Sequence, residues 1–128
     1  MKAILRPERG QVWLADLNPP RGTEPGKTRP VLIVQARALL SAGHPSTLIV
    51  PLTTRLIHDA EPLRIRVLPT GKLRRTSDLL VDQLRAIDNR RLIRGPLARL
   101  PGPLMTRIGE ALKEVLDLAE RAADRGGS

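Results

Sequence analysis

Residues 30–34 read Pro-Val-Leu-Ile-Val, and this apolar run decides the fold class. It is too short for a helix, and apolar at every position, so it predicts a strand that is buried on both faces. A second run of the same kind is Thr47-Leu-Ile-Val50. Pro51 follows it and has no N–H to donate, which predicts a bulge or a sheet edge at that point. The centre of the molecule is therefore expected to be a β-sheet with apolar cover on both sides.

Shorter segments on either side extend this sheet. Residues 11–17 predict a first strand, which lies between Gly10 and a turn at Asn18-Pro19-Pro20. In residues 63–67 the pattern alternates, so Leu63, Ile65 and Val67 are expected to point inward and Arg64 and Arg66 outward. The remaining predicted elements are a fifth strand at 79–84, a helical turn at 90–93 and a brief strand at 97–100.

The C-terminal region predicts one amphipathic helix. Pro103 suits its first position. Apolar residues recur at helical spacing on one face, namely Leu104, Ile108, Leu112, Val115, Leu116 and Ala119. Five or six short strands with one helix predict a small α+β barrel. We expect one domain at residues 9–121, a flexible lead at 1–8 and a disordered tail at 122–128.

Composition narrows the functional classes. The chain has no cysteine, which excludes disulfides, thiolate metal sites and a cysteine nucleophile. Its two histidines do not have metal-binding spacing, so no metal and no cofactor is expected. No apolar run is long enough to span a bilayer, so a cytoplasmic protein with no membrane partner is the expectation.

The positive charge belongs to the body of the domain. The net charge is +9, and residues 103–128 carry −1, so residues 1–102 carry +10. A basic folded surface attracts polyanions, of which nucleic acid is the commonest in a cell. A solvated basic face that maintains solubility explains the charge equally well at this point.

Trp13 is the only aromatic residue of the chain. It is expected to fill the core of the first strand rather than to stack on a base. Without Phe or Tyr, an aromatic platform of the kind that stacks RNA bases is excluded.

Two segments could carry phosphate chemistry. Pro30 holds Arg29 extended at the entry to the buried strand, and the planar guanidinium of Arg29 suits a phosphate. Residues 53–55, Thr-Thr-Arg, place two hydroxyls and a cation after the other buried strand. Together these groups can stabilise a pentavalent phosphorane without a metal, with a ribose 2′-OH as nucleophile. The alternative is that Arg29 forms a surface ion pair with Glu24 and the threonines are ordinary strand residues.

Four ordered segments resemble the MazF/PemK family, the toxin components of bacterial toxin–antitoxin pairs. They are residues 9–24, 29–35, 50–54 and 82–88, and the resemblance covers roughly residues 8 to 118. It implies an SH3-like barrel that dimerises. It also implies a metal-independent endoribonuclease that cleaves single-stranded mRNA by 2′-OH attack and so arrests translation. The products would be a 2′,3′-cyclic phosphate and a 5′-OH. An acidic, MazE-like antitoxin is the implied partner.

The resemblance also assigns residues by position. Arg29 matches the catalytic arginine, and the catalytic hydroxyl falls in the pair Thr53 and Thr54, with a slight preference for Thr54. The implied RNA-binding residues are Arg21, Thr23, Glu24, Lys27, Arg55, Asp82, Gln83 and Arg85. Because aromatic residues common in the family are missing here, base stacking would rest on arginine planes such as Arg21, Arg55 or Arg85.

Two other functions remain open on the sequence. The same barrel could bind nucleic acid without cutting it, which the lack of a histidine base favours. A related toxin could instead act on a protein target such as DNA gyrase. Fold alone does not separate the three.

Overall fold

A computed structural model describes residues 6–19, 21–23 and 27–118 of the chain. Seven strands form one antiparallel sheet in the order β4-β5-β3-β2-β1-β7, and β6 pairs separately with β3. The strands are β1 (Gln11–Asp16), β2 (Thr28–Ile33), β3 (Ser46–Thr53), β4 (Arg64–Val67), β5 (Ser77–Leu80), β6 (Arg85–Asp88) and β7 (Leu92–Arg99). The helices are α1 (Arg37–Ser41) and α2 (Gly102–Val115), with 3₁₀ turns at Val81–Gln83 and Asn89–Arg91.

Strand β3 organises the sheet because it pairs with three other strands. Residues 49–51 pair with β2, residues 46–49 with β6, and residues 52–53 with β5. Pro51 belongs to neither of the two ladders on the β5–β6 side, since one ends before it and the other begins after it. The predicted interruption at Pro51 is therefore the point at which β3 changes partner.

Apolar clusters cover both faces of the central strands. Leu32 and Val50 belong to one cluster, which α2 covers through Ile108 and Ala111. Val31 and Ile33 belong to a second cluster on the opposite face. The two-sided burial predicted for residues 30–34 is confirmed, and the alternation of the side chains explains it.

The α+β architecture with a C-terminal helix is confirmed, with four differences from the predicted strands. It has seven strands instead of five or six, and no pairing among the described residues closes it into a barrel. The predicted strand at 79–84 ends at Leu80 because a 3₁₀ turn interrupts it, and β6 follows. Leu63, expected to point inward, is 50% exposed, because it precedes the first residue of β4.

The end of α2 differs slightly from the prediction. Leu116 is 48% exposed, because the helix ends at Val115 and Asp117 adopts a left-handed φ of 57°. Ala119 and the predicted tail lie outside the described residues, as do residues 1–5 of the predicted lead. Within the described chain, no helix is long and apolar enough to cross a bilayer.

Trp13 is a core residue, as predicted. Its side chain is 2% exposed, and its indole Nε1 donates to Oε1 of Gln11 at 2.9 Å. Gly95 of β7 lies directly on the indole, so that a Cβ at position 95 would fall 2.3 to 2.7 Å from three ring atoms. The close approach of these strands therefore depends on the missing side chain of Gly95.

We expect Gly95→Ala to lower the free energy of unfolding by about 2 kcal/mol, because the methyl group overpacks the indole. Gly109→Ala is the matched control. Gly109 lies inside α2, and a Cβ at position 109 would have no neighbour within 4 Å, so alanine should stabilise the helix by up to about 1 kcal/mol. Urea denaturation of both variants measures the two effects. Wild-type stability in Gly95→Ala would show that β7 can shift without cost.

Candidate nucleic-acid interface

A groove of about 1430 Å³ lies where the ends of β2 and β3 meet the β4–β5 turn and β7. Its described lining is strongly basic. The eight basic residues are Lys27, Arg29, Arg55, Arg64, Lys72, Arg74, Arg75 and Arg94, and Asp82 is the single carboxylate among the described lining residues. Such a concave surface of one charge sign concentrates anions. The basic charge found in the sequence is thus partly collected in one groove.

Most of the residues predicted from the sequence meet in this groove. Those that line it are Thr23, Lys27, Arg29, Thr53, Thr54, Arg55, Asp82 and Gln83. Arg21 is exposed and does not line it. Arg85 is half-buried in β6 opposite Ile49, also away from the lining. Glu24 lies outside the described residues.

The strand register brings Arg29 and Thr53 to the same side of the sheet. Arg29 pairs with Ala15 of β1, and Val31 pairs with Pro51 of β3. Continuing the second register by two residues sets Arg29 opposite Thr53, and directly opposed residues have Cβ atoms about 5 Å apart. Thr54 follows the end of β3 and is exposed.

The hydroxyl of Thr53 is partly engaged. Its Oγ1 accepts a hydrogen bond from the backbone N–H of Arg55 at 3.2 Å. That bond uses a lone pair, so the hydroxyl hydrogen can still be donated to an anion. The arrangement offers a guanidinium and an O–H donor on one face, which is a combination that stabilises negative charge on phosphate oxygens.

Asp78 supports the end of β3 from the neighbouring strand β5. It lies on β5 opposite Thr53 and is 1% exposed. Its carboxylate accepts from Nε of Arg66 at 2.7 Å, from the amide of Ile57 at 2.9 Å and from Arg64 at 3.3 Å. Arg64 also donates to the carbonyl of Arg55 at 2.7 Å. This network fixes the segment that follows Thr53 and Thr54.

The same contacts determine the protonation of Asp78. Burial raises the pKa of this carboxyl. The hydrogen bonds from Arg66, Ile57 and Arg64 lower it and outweigh burial, so the pKa lies below its usual value of 3.8. Asp78 is therefore a carboxylate at neutral pH. This role of Asp78 was not predicted from the sequence, although Arg64 and Arg66 share one face of β4 as predicted. The available signal was an aspartate at the start of a neighbouring apolar strand.

Part of the groove wall was not predicted from the sequence either. The cations Lys72, Arg74 and Arg75 of the β4–β5 turn line the groove, as does Arg94 of β7. Three cations within four residues were visible as a basic loop, but only the sheet topology places them beside Arg29. Among the described residues, no group of three or more His, Cys, Asp or Glu side chains is arranged to hold a metal.

Comparison with known proteins identifies relatives of the whole domain. The family model for the "PemK-like, MazF-like toxin of type II toxin-antitoxin system" matches residues 8–116. Endoribonuclease EndoA of Bacillus subtilis is 30% identical over 114 residues, which are 88% of this chain and 97% of the relative.

Solved structures show the same fold. MazF of Deinococcus radiodurans superposes with a TM-score of 0.74 at 21% identity, over 89% of this chain and 99% of that one. A mycobacterial endoribonuclease in complex with its cognate antitoxin superposes with a TM-score of 0.68 at 24% identity, over 92% of this chain and all of that one.

We expect Asp78→Asn to lower the free energy of unfolding at pH 7 by about 3 kcal/mol, because it leaves two arginines without their buried counter-charge. The folded-state pKa of Asp78 is lowered, so its contribution is present above the unfolded pKa and is lost as the pH falls through the folded pKa. The stability difference from wild type should therefore shrink below about pH 4.

Denaturant titrations across this pH range measure the difference. Asp59→Asn is the control, because Asp59 is exposed in the β3–β4 connection and asparagine tolerates its left-handed φ of 53°. A difference between Asp78→Asn and wild type that stays constant down to pH 2 would rule out the ionic role of Asp78.

Proposed function

The chain belongs to the PemK-like, MazF-like family of type II toxin–antitoxin toxins, and from this premise we propose that it is an endoribonuclease that cleaves single-stranded RNA without a metal. The observation that carries the proposal is the basic groove, which Arg29 and Thr53 both line. The named activity of EndoA, a relative that the chain covers almost completely, supports the reaction class.

The proposed reaction is an internal transesterification. The ribose 2′-OH attacks the adjacent phosphorus and loses its proton to water, and the bond from phosphorus to the 5′ oxygen breaks. The 5′ oxygen gains a proton, so the products are a 2′,3′-cyclic phosphate and a 5′-OH. Because the nucleophile belongs to the substrate, the protein has to align the RNA and stabilise charge rather than supply an attacking group.

Arg29 is the proposed stabiliser of the transition state. Its planar guanidinium presents parallel N–H donors to two phosphate oxygens. The negative charge on those oxygens increases as the pentavalent phosphorane forms, so the same hydrogen bonds strengthen in the transition state. Neither histidine lines the groove, which is consistent with charge stabilisation as the main contribution.

Register favours Thr53 over Thr54 as the second catalytic group. Thr53 lies opposite Arg29 when the β2–β3 pairing is continued, whereas Thr54 follows the end of β3 and lies one residue beyond that position. We therefore assign the hydroxyl that assists Arg29 to Thr53, in place of the slight preference for Thr54 on sequence.

The other groove residues are proposed to bind the substrate. Lys27 and Arg55 supply further cations for phosphates, and Thr23 and Gln83 supply hydrogen-bonding groups. Asp82 repels phosphate, so we assign it to a base edge with an amino donor. Arg21, Glu24 and Arg85 stay candidates from the resemblance alone.

An acidic antitoxin is the proposed partner, and a homodimer in the cytoplasm is the proposed working form. The mycobacterial endoribonuclease of the same fold was solved with its cognate antitoxin, which supports the first point. A disordered acidic segment lying in the groove would set carboxylates against its cations and block RNA entry.

Cleavage of a long single-stranded RNA in EDTA tests the function. We expect discrete fragments with 5′-OH ends from the wild type and a loss of at least about 100-fold in Arg29→Ala, because one main donor to the developing charge is gone. Arg37→Ala is the control, since Arg37 is an exposed cation on α1 outside the groove lining.

Intact RNA from the wild type would refute the nuclease. Salt-dependent RNA binding in that case would select the non-catalytic module, and inhibition of gyrase would select the protein-directed toxin.

The assignment of the hydroxyl is tested with isosteric variants. We expect Thr53→Val to lower the cleavage rate by about 100-fold, Thr53→Ser to restore most of it, and Thr54→Val to lower it less than Thr53→Val. Single-turnover rates on the same RNA separate the three. A larger loss in Thr54→Val would transfer the role to Thr54.

A further inference from the structure

The turn between β4 and β5 carries an isolated block of positive charge. Residues 68–76 contain Lys72, Arg74 and Arg75 and no acidic residue. All three side chains are exposed and line the groove. The same turn therefore contributes three of the groove's cations, yet none of them belongs to the segments on which the family resemblance rests.

The backbone of this turn is fixed in place. Thr70 and Leu73 exchange backbone hydrogen bonds at 3.0 and 2.9 Å, and the Leu73 side chain, 5% exposed, packs into the core. The amide of Lys72 donates to the carbonyl of Leu97 in β7 at 2.6 Å. Gly71 has a φ of 56°, and a Cβ there would fall 2.7 Å from the same carbonyl oxygen. The cations thus project from a rigid support held against β7.

These cations lack the carboxylate partners that several arginines of the chain have. Arg64 and Arg66 pair with Asp78, Arg99 with Glu8 and Arg107 with Glu61. In contrast, no carboxylate of the described residues lies within salt-bridge distance of Lys72, Arg74 or Arg75. Like charges held close together without counter-charges destabilise the fold, and such local costs are typical of binding sites.

The β4–β5 turn lies between the end of β3 and β7. Thr53 pairs with Asp78, so continuing the β3–β5 register sets Thr54 opposite Ser77 and Arg75 just beyond the end of β3. The other end of the turn contacts Leu97 of β7, the strand that also carries the groove-lining residue Arg94. The turn therefore continues the basic lining from the end of β3 to β7.

We propose that Lys72, Arg74 and Arg75 form a preformed site for the backbone phosphates of single-stranded RNA that flank the cleaved bond. This inference rests on the proposed function and extends it. The arginine forks match phosphate oxygens, and the fixed backbone reduces the entropy lost on binding. The site adds affinity that is independent of base sequence, and it lengthens the RNA segment that the protein contacts.

Binding to an uncleavable 2′-O-methyl RNA tests the site apart from catalysis. The variant is Arg74→Ala/Arg75→Ala, and the control is Arg37→Ala/Arg90→Ala, which removes two exposed cations outside the groove lining. For single strands, each neutralised phosphate contributes about 0.7 to the slope of log K against log salt. We expect the slope to fall by about 1.4 in the groove variant and to stay at the wild-type value in the control. In cleavage assays the loss should fall on KM.

The outcomes separate this inference from the function. A wild-type slope in the groove variant, with wild-type RNA cleavage, overturns the phosphate site and leaves the nuclease standing. An RNA that binds with the reduced slope but is never cleaved supports the site and refutes the nuclease. An unchanged RNA slope with weakened binding of an acidic peptide assigns the turn to a protein partner and overturns the proposal.

Gly71→Ala tests whether the site is preformed, because it keeps every cation and displaces the turn from Leu97. We expect weaker binding of the same RNA while thermal unfolding stays cooperative. Wild-type affinity in a folded Gly71→Ala protein would show that the charges act without a fixed support, and this would overturn the preformed site.

Discussion

The pairing of β3 with three strands is the constraint on which the rest of the structure depends. Its first half holds β6, its second half holds β5, and its middle holds β2. The end of β3 thereby lies beside both the start of β2, with Arg29, and the start of β5, with Asp78. A strand that changes partner within eight residues brings together groups that are distant in sequence, and it leaves the groove at the end where they meet. Pro51 fits this change because it belongs to neither of the ladders it separates.

Two kinds of charge arrangement meet near the end of β3. Asp78 is buried and takes up the charge of Arg64 and Arg66, and the network holds the chain after Thr53 in place. The groove cations Lys72, Arg74 and Arg75 are exposed and meet no described carboxylate. Removing one partner of the first arrangement costs stability, whereas the second is solvated and attracts anions. Arg64 takes part in both, since it binds Asp78 and also lines the groove.

Much of the sheet was predictable because a strand that is buried on both faces is apolar at every position. Residues 30–34 are apolar at every position, and the structure covers both of their faces. Helix α2 was predictable for a similar reason, because its apolar residues recur at helical spacing on one face. The break after Leu80 was not visible, because Val81 is buried like a strand residue while its backbone turns to 3₁₀ geometry. In the site, Arg29 and the threonines followed from local context and resemblance. The β4–β5 turn did not, because its place beside them depends on long-range pairing that no local pattern encodes.

If the proposed function is right, the burial of Trp13 means that different groups provide RNA affinity and base recognition. With the only aromatic ring beneath Gly95, no aromatic face is left to stack on bases. Affinity must then come mainly from cations acting on phosphates, which do not distinguish sequences. Discrimination falls to the groups that can read a base edge, and in the groove these include Asp82 and Gln83, which together offer acceptor and donor atoms. An RNA held by its backbone can shift along the basic lining until its bases satisfy these groups, so cleavage at defined positions requires a rigid groove more than a tight one.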